Sequence, residues 1–218
     1  VWSINCSGHK YGLVYPGIGW VVWRSKEALP EDLIFWVSYL GGEEATMAIN
    51  FSRSASQIVG QYYVLMRNGF EGVREIQERT LDVARYLAAE IKDMGMFELY
   101  EDAGHIPIVC WGLKEDADVA WSLYDLSDRL RMNGWLVPAY PMPADLQETT
   151  VQRVVARQDF SMQLCVKLVE DIKKEIDTLS KARFVTGNTQ GVINTGFDHG
   201  GRSAASVSGK TEDAAKAK

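Results

Sequence analysis

Between residues 72 and 94, positions Val73, Ile76, Thr80, Val83, Leu87, Ile91 and Met94 follow one another in steps of three and four. That spacing puts them on one face of a helix, and Gly95 supplies the stop. Upstream, "GIGWVVWR" (17–24) is rich in Val and Trp and bounded by glycine and charge, so it predicts a buried strand. In "INFSRSASQIVGQYYVLMRNG", Ser54 with Gln57 three residues on reads as a capping box that starts a helix ending near Gly69. Phe51, Ser52 and Arg53 then fall in the loop before it. Downstream, the pattern predicts strands at 96–100 and 106–111, a helix at 119–132, strands at 135–139 and 149–157, and a helix at 161–179. The order β-β-α-β-β-α describes a compact α+β module hung on the long helix. No internal repeat is visible. From Gly200 onward the chain is small, polar and non-periodic, which predicts a disordered tail.

Charge and cysteine content narrow the function classes. A net charge of -6 without a cluster of Lys and Arg argues against a nucleic-acid surface. Cys6, Cys110 and Cys165 stand far apart, with no CxxC pair for zinc or redox chemistry, which fits a reduced, cytoplasmic compartment. The uncharged apolar run 11–23 falls short of the roughly 20 residues of a membrane span. No secretory signal pattern opens the chain. The start at Val1, close to the most suggestive motif, leads us to expect a fragment of a longer protein.

That motif is "NCSGHKYG" (5–12). A lysine at neutral pH is normally an ammonium and attacks no carbonyl in that form. A lysine that carries pyridoxal phosphate does so through a protonated Schiff base, and its neighbours hold a phosphate and leave room for a flat ring. Ser7 and His9 offer hydrogen bonds to an anion, and Gly8 and Gly12 permit close backbone approach. Taken alone, the same residues also suit an ordinary surface turn.

The surroundings decide between the two. "SINCSGHKYGLVYPGIGWVVWR", "LPEDLIFWVSYLGG" and "INFSRSASQIVGQYY" resemble the pyridoxal-phosphate-dependent glutamate decarboxylases, and the likeness continues through "YDLSDRLRMNGWLVPAYPMP" and "VQRVVARQDF". It covers roughly residues 2–199. The resemblance implies an α/β fold of the fold-type-I pyridoxal-phosphate transferases. Residues 1–70 would end the large cofactor domain, 71–199 would form the linking helix and a small α+β carboxyl-terminal domain, and 200–218 the tail.

It also implies roles. Lys10 would carry pyridoxal 5'-phosphate, with His9 and Ser7 at its phosphate. Phe51 and Ser52 would reach across a homodimer toward the partner's cofactor, within a homodimer or higher oligomer. Arg153 would bind the α-carboxylate of L-glutamate. Period-2 alternation puts Val151, Arg153, Val155 and Arg157 on one face of a strand. Either arginine could equally solvate an edge strand; the resemblance selects Arg153 and leaves Arg157 structural. His105 reads as a strand-end surface residue and Cys6 as packing. In "FDHGG", His199 resembles a carboxyl-terminal histidine that enters the site of acid-responsive members as pH rises.

Two departures stand out. The family's aspartate for the pyridine nitrogen, further phosphate ligands and most of the side-chain pocket lie in an upstream half not present here. The tail also lacks the basic, Trp-containing calmodulin-binding extension of plant members. The expected reaction is decarboxylation of L-glutamate to 4-aminobutanoate and carbon dioxide. The alternatives are another fold-type-I decarboxylase or lyase, or a catalytically silent dimerising fragment.

Overall fold

Two antiparallel hairpins precede the helical part of the chain in the computed structural model, which describes residues 1–39, 41–49 and 52–182. β1 (Ser3–Ser7) pairs with β2 (Gly19–Trp23), from Ser3 opposite Trp23 to Ser7 opposite Gly19. β3 (Phe35–Tyr39) pairs with β4 (Gly42–Thr46). Of these, β2 follows the expectation from "GIGWVVWR". β4, "GEEAT", carries no strand signature and owes its conformation to its partner.

α1 (Ser56–Asp93) carries the predicted apolar stripe and leaves the helical conformation at Gly69, with φ 62° and ψ -169°. That region of backbone space is essentially open to glycine alone. The predicted break near Gly69 and the stop at Gly95 (φ 80°) are both present. The capping box at Ser54 is not. Ala55 is the N-cap and makes no side-chain cap bond; the Ser54 hydroxyl instead meets Ser56, and Gln57 accepts from the Ser56 hydroxyl. A complete capping box forms at Ser122 and Asp125, so the next helix starts at Leu123 rather than near 119.

Beyond α1 the order is β5 (Phe97–Asp102), β6 (Ile108–Leu113), α2 (Leu123–Met132), β7 (Ala139–Pro141), β8 (Thr150–Val155) and α3 (Met162–Ala182). This is the predicted β-β-α-β-β-α series, with β7 reduced to three residues and placed later than the strand expected at 135–139. The four strands make one antiparallel sheet in the order β5-β6-β8-β7. Helices α1 and α2 pack on it, and α3 packs on α1 and α2. Val109 opposite Val154 and Trp111 opposite Gln152 turn toward this core, with Leu87, Ile91, Leu126, Leu130, Leu168 and Ile172 supplying most of its fully buried apolar volume. Cys165 is sealed in the core, and burial pushes its thiol up to about 11. Among the described residues no helix is long and apolar enough to cross a membrane.

Candidate active site

Ser7 closes β1, and the chain then folds back on itself before entering β2. Within this turn Gly8 N donates to Ile18 O at 2.9 Å, Lys10 N to Ser7 O at 3.2 Å, and Val14 N to Gly8 O at 3.1 Å. The folding-back leaves no space for side chains at the two buried glycines. A Cβ on Gly8 would stand 2.9 Å from the Ile18 carbonyl oxygen, and one on Gly12 would stand 2.8 Å from both Cα and O of Gly8. Leu13 follows with φ 60°, in the left-handed region that costs a branched side chain energy. The result is a crossed, tightly packed turn that exposes Lys10 and half-buries Ser7 and His9.

The first turns of α1 lie against this loop. Gln57 sits by Gly17, Gly60 by Val14, and Gln61 by Gly12, and the 57, 60, 61, 64 series is one helix face. Between loop and helix is a cavity of about 260 Å³ lined by Leu13, Val14, Tyr15, Gln57, Tyr63 and Val64 among others. Gln61 donates its side-chain amide to Gly12 O at 2.9 Å. Ser52 stands exposed shortly before this helix. Phe51, like His199, lies outside the described residues.

Arg153 is held elsewhere, on the face of the four-stranded sheet opposite the core. Across β5, β6 and β8 the pairings Glu101 with Cys110 and Cys110 with Arg153 set these three side chains in a row. The Arg153 guanidinium carbon lies 5.8 Å from the centre of the Tyr140 ring. Burial pushes the Cys110 thiol up, Arg153 pulls it down and Glu101 raises it again. Val155 is exposed like Arg153, whereas Val151, on the same face by alternation, is buried. Arg157 falls beyond the strand, 3.9 Å from Asp159. Among the described residues no hydrogen bond or ion pair joins Arg153 to the Lys10 turn. His105 is exposed between β5 and β6; Cys6 is half-buried, its thiol raised by burial.

Sequence reading passed over two residues. Gln61 stands on a helix face that is polar and small, so apolar periodicity gives no sign of it. Tyr140 sits beside proline in a strand of three residues, and its alternation is too short to read.

The donor set at the turn fits pyridoxal phosphate. It comprises an exposed amine, a hydroxyl and an imidazole of the kinds that can bond an anion, and two glycines whose missing Cβ atoms let the backbone close.

Residues 1–114 match the model of the pyridoxal-dependent decarboxylase conserved domain. The chain is 54% identical over 197 residues to glutamate decarboxylase beta of Listeria innocua and 56% identical over 197 residues to glutamate decarboxylase of Lactococcus lactis subsp. cremoris. Each match takes in 90% of this chain and 42% of the relative, so the chain spans well under half the length of these proteins. The solved glutamate decarboxylase of Lactobacillus brevis superposes with a TM-score of 0.75 at 55% identity, covering 84% of this chain and 41% of that one. The sphingosine-1-phosphate lyase of Burkholderia pseudomallei shares the fold, with a TM-score of 0.66 at 19% identity over 85% of this chain and 39% of that one. The fold is thus that of the fold-type-I pyridoxal-phosphate enzymes, and the chain belongs to the pyridoxal-dependent decarboxylase family.

Proposed function

We propose that the protein carrying this chain removes the α-carboxylate of L-glutamate, giving 4-aminobutanoate and carbon dioxide, with pyridoxal phosphate held at the Lys10 turn. The observation that carries this reading is 54–56% identity to glutamate decarboxylases over 90% of the chain. When bound, the cofactor supplies an electron sink for the pair left as the bond from Cα to the carboxylate breaks. Lys10 is its covalent anchor. The Ser7 hydroxyl and His9 ring bond the phosphate oxygens, and the crossed glycines fix the angle at which all three side chains leave the turn. Arg153 holds a substrate carboxylate through its planar fork of N–H donors. One proton from solvent replaces carbon dioxide at Cα, so each turnover consumes a proton.

In this reading residues 1–70 end a larger cofactor domain and residues 71–199 form the linking helix and small domain. The interruption at Gly69 and a buried core drawn from residues 83–176 support that division. Phe51 and Ser52 contribute to the site of a second copy in a homodimer or larger homo-oligomer. The exposed apolar row Ile58, Val59, Tyr62, Tyr63 and Met66 on α1 supports an assembled state. The compartment is the cytoplasm.

The test uses the intact gene product loaded with pyridoxal phosphate. Borohydride reduction should fix the label on Lys10, and labelled glutamate should yield 4-aminobutanoate and carbon dioxide in equal amounts. A label on a different lysine, or turnover of other amino acids in preference to glutamate, overturns the proposal.

A further inference from the structure

Among the described residues between Leu13 and Arg79, Gln61 alone is buried, at 5% exposure. The first half of α1 is otherwise an exposed helix, with Tyr62 and Tyr63 beside Gln61 more than half exposed. A long polar side chain in that setting normally extends into water. Here it is folded under the Lys10 turn, 49 residues away in sequence, and donates to Gly12 O. Its own Oε1 has no hydrogen-bond donor among the described residues. Burial of this amide is therefore compensated by a single bond, the one to the turn.

The turn needs that bond. Gly12 is buried, and its carbonyl would be left without a partner in a dry position if Gln61 were absent. The same amide fits against the bare Cα, since a Cβ on Gly12 would stand 2.2 Å from Gln61 Oε1. Gly12 N in turn donates to Ser7 O at 3.4 Å, so the amide bond, the carbonyl of Gly12 and the start of the Ser7 turn are mechanically continuous.

We propose that Gln61 is a positioning residue for Lys10, its side-chain amide fixing the Gly12 carbonyl and thereby the turn that presents Ser7, His9 and Lys10 to pyridoxal phosphate. The inference rests on the reading of Lys10 as the cofactor's anchor. It gives α1 a direct grip on the turn, through the helix that leads on past Gly69 to the sheet carrying Arg153.

The test compares Gln61→Glu and Gln61→Met with the unaltered intact gene product, each stripped of pyridoxal phosphate and reloaded. An ionised Glu cannot donate to the Gly12 carbonyl, but a protonated one can, and burial raises the pH at which it protonates above the reference of about 4.3. Met fills the space and never donates. The titratable groups nearest this contact are Cys6, His9, Lys10, Tyr11 and Tyr15 on the turn and its flank and Tyr62 and Tyr63 on the first turns of α1, and the unaltered protein at each pH corrects for them and for the charged groups farther along α1.

At neutral pH both variants should release pyridoxal phosphate about tenfold more readily, the size of one lost buried hydrogen bond. Amides of residues 8–14 should exchange faster even without cofactor. On acidification Gln61→Glu should regain both properties relative to the unaltered protein, and Gln61→Met should regain neither. Unchanged melting of both variants keeps the comparison valid, since Gln61 lies outside the core of the small module. Neutral-pH behaviour like the unaltered protein, or equal acid recovery in both variants, overturns the inference. A borohydride label away from Lys10 in the unaltered protein defeats the underlying reading instead.

Discussion

Arg129 Nε lies 2.7 Å from Glu175 Oε2, joining α2 to a carboxylate on α3 that is only 3% exposed. Asn133 Nδ2 donates to the other oxygen at 2.9 Å, so the last turn of α2 grips one carboxylate from two sides. Removing a partner leaves a buried charge half-satisfied, although Arg129 itself reaches solvent and the loss is smaller than for a fully buried pair. Arg129→Met should cost about 1–3 kcal/mol of unfolding free energy by urea titration. Asn133→Ala combined with it should cost more than either alone, because both act on one carboxylate.

A second carboxylate one turn away makes the same joint sensitive to acid. Asp171, 5% exposed, accepts from Trp135 Nε1 at 2.8 Å and from Lys167 Nζ at 2.9 Å. The Trp135 bond is the main cause that holds its carboxyl below the usual range, and the Asn133 bond is the main cause for Glu175, with burial opposing both. The folded state therefore binds fewer protons than the unfolded chain across the acid range. Stability from these groups is complete above the ordinary carboxylate values of about 4 and is lost as pH falls through them and through the depressed folded values. Melting temperature should fall on acidification below that point. Asp171→Asn and Glu175→Gln should each flatten the fall while lowering the neutral-pH plateau. An acid slope unchanged in both variants would locate the sensitivity elsewhere.

At Gly69 the effect of a methyl group depends on backbone alone, because nothing lies within 4 Å of the position a Cβ would take. With φ 62° and ψ -169°, Gly69→Ala should destabilise by about 1–3 kcal/mol. A helix running straight through this point would instead gain from alanine by about 1 kcal/mol. The sign of the change in urea denaturation separates the two.

The parts of this fold that could be read in the sequence are those that carry an apolar period. The second half of α1 shows its stripe because Val83, Leu87 and Ile91 must reach the core, and α3 shows its own through Leu168 and Ile172. β4 could not be read: two glutamates in five residues signal nothing, and Phe35–Tyr39 supplies the reason for its shape. Site chemistry divides in the same way. Lys10 and His9 stand out because the stretch around them resembles a known family, whereas by residue type alone they also suit a surface turn. Gln61 does not, since its partner is a backbone carbonyl far along the chain. The Ser54 capping box failed for a local reason: Ser56 offered the Ser54 hydroxyl a nearer partner.

The pairing of Arg153 with Tyr140 allows the assignment of substrate binding to be tested by magnitude. If Arg153 holds a carboxylate through two N–H donors, Arg153→Lys keeps the charge and loses the fork. The lost bonds to a charged group correspond to about 1.5–3 kcal/mol, or roughly 10- to 150-fold in kcat/KM for glutamate. Tyr140 would then act through the orientation of the guanidinium, whose carbon lies 5.8 Å from its ring centre. Tyr140→Leu forfeits an interaction worth about 0.5–1 kcal/mol at such sites, roughly two- to fivefold. Tyr140→Phe retains the ring face and should stay close to the unaltered protein. The expected order in the intact, cofactor-loaded protein is therefore Phe, then Leu, then the arginine replacement, with the last change concentrated in KM if the carboxylate is held equally before and during bond cleavage. Arg153→Lys within twofold of the unaltered kcat/KM would remove Arg153 from the substrate site and leave it a solvated residue of an open sheet face.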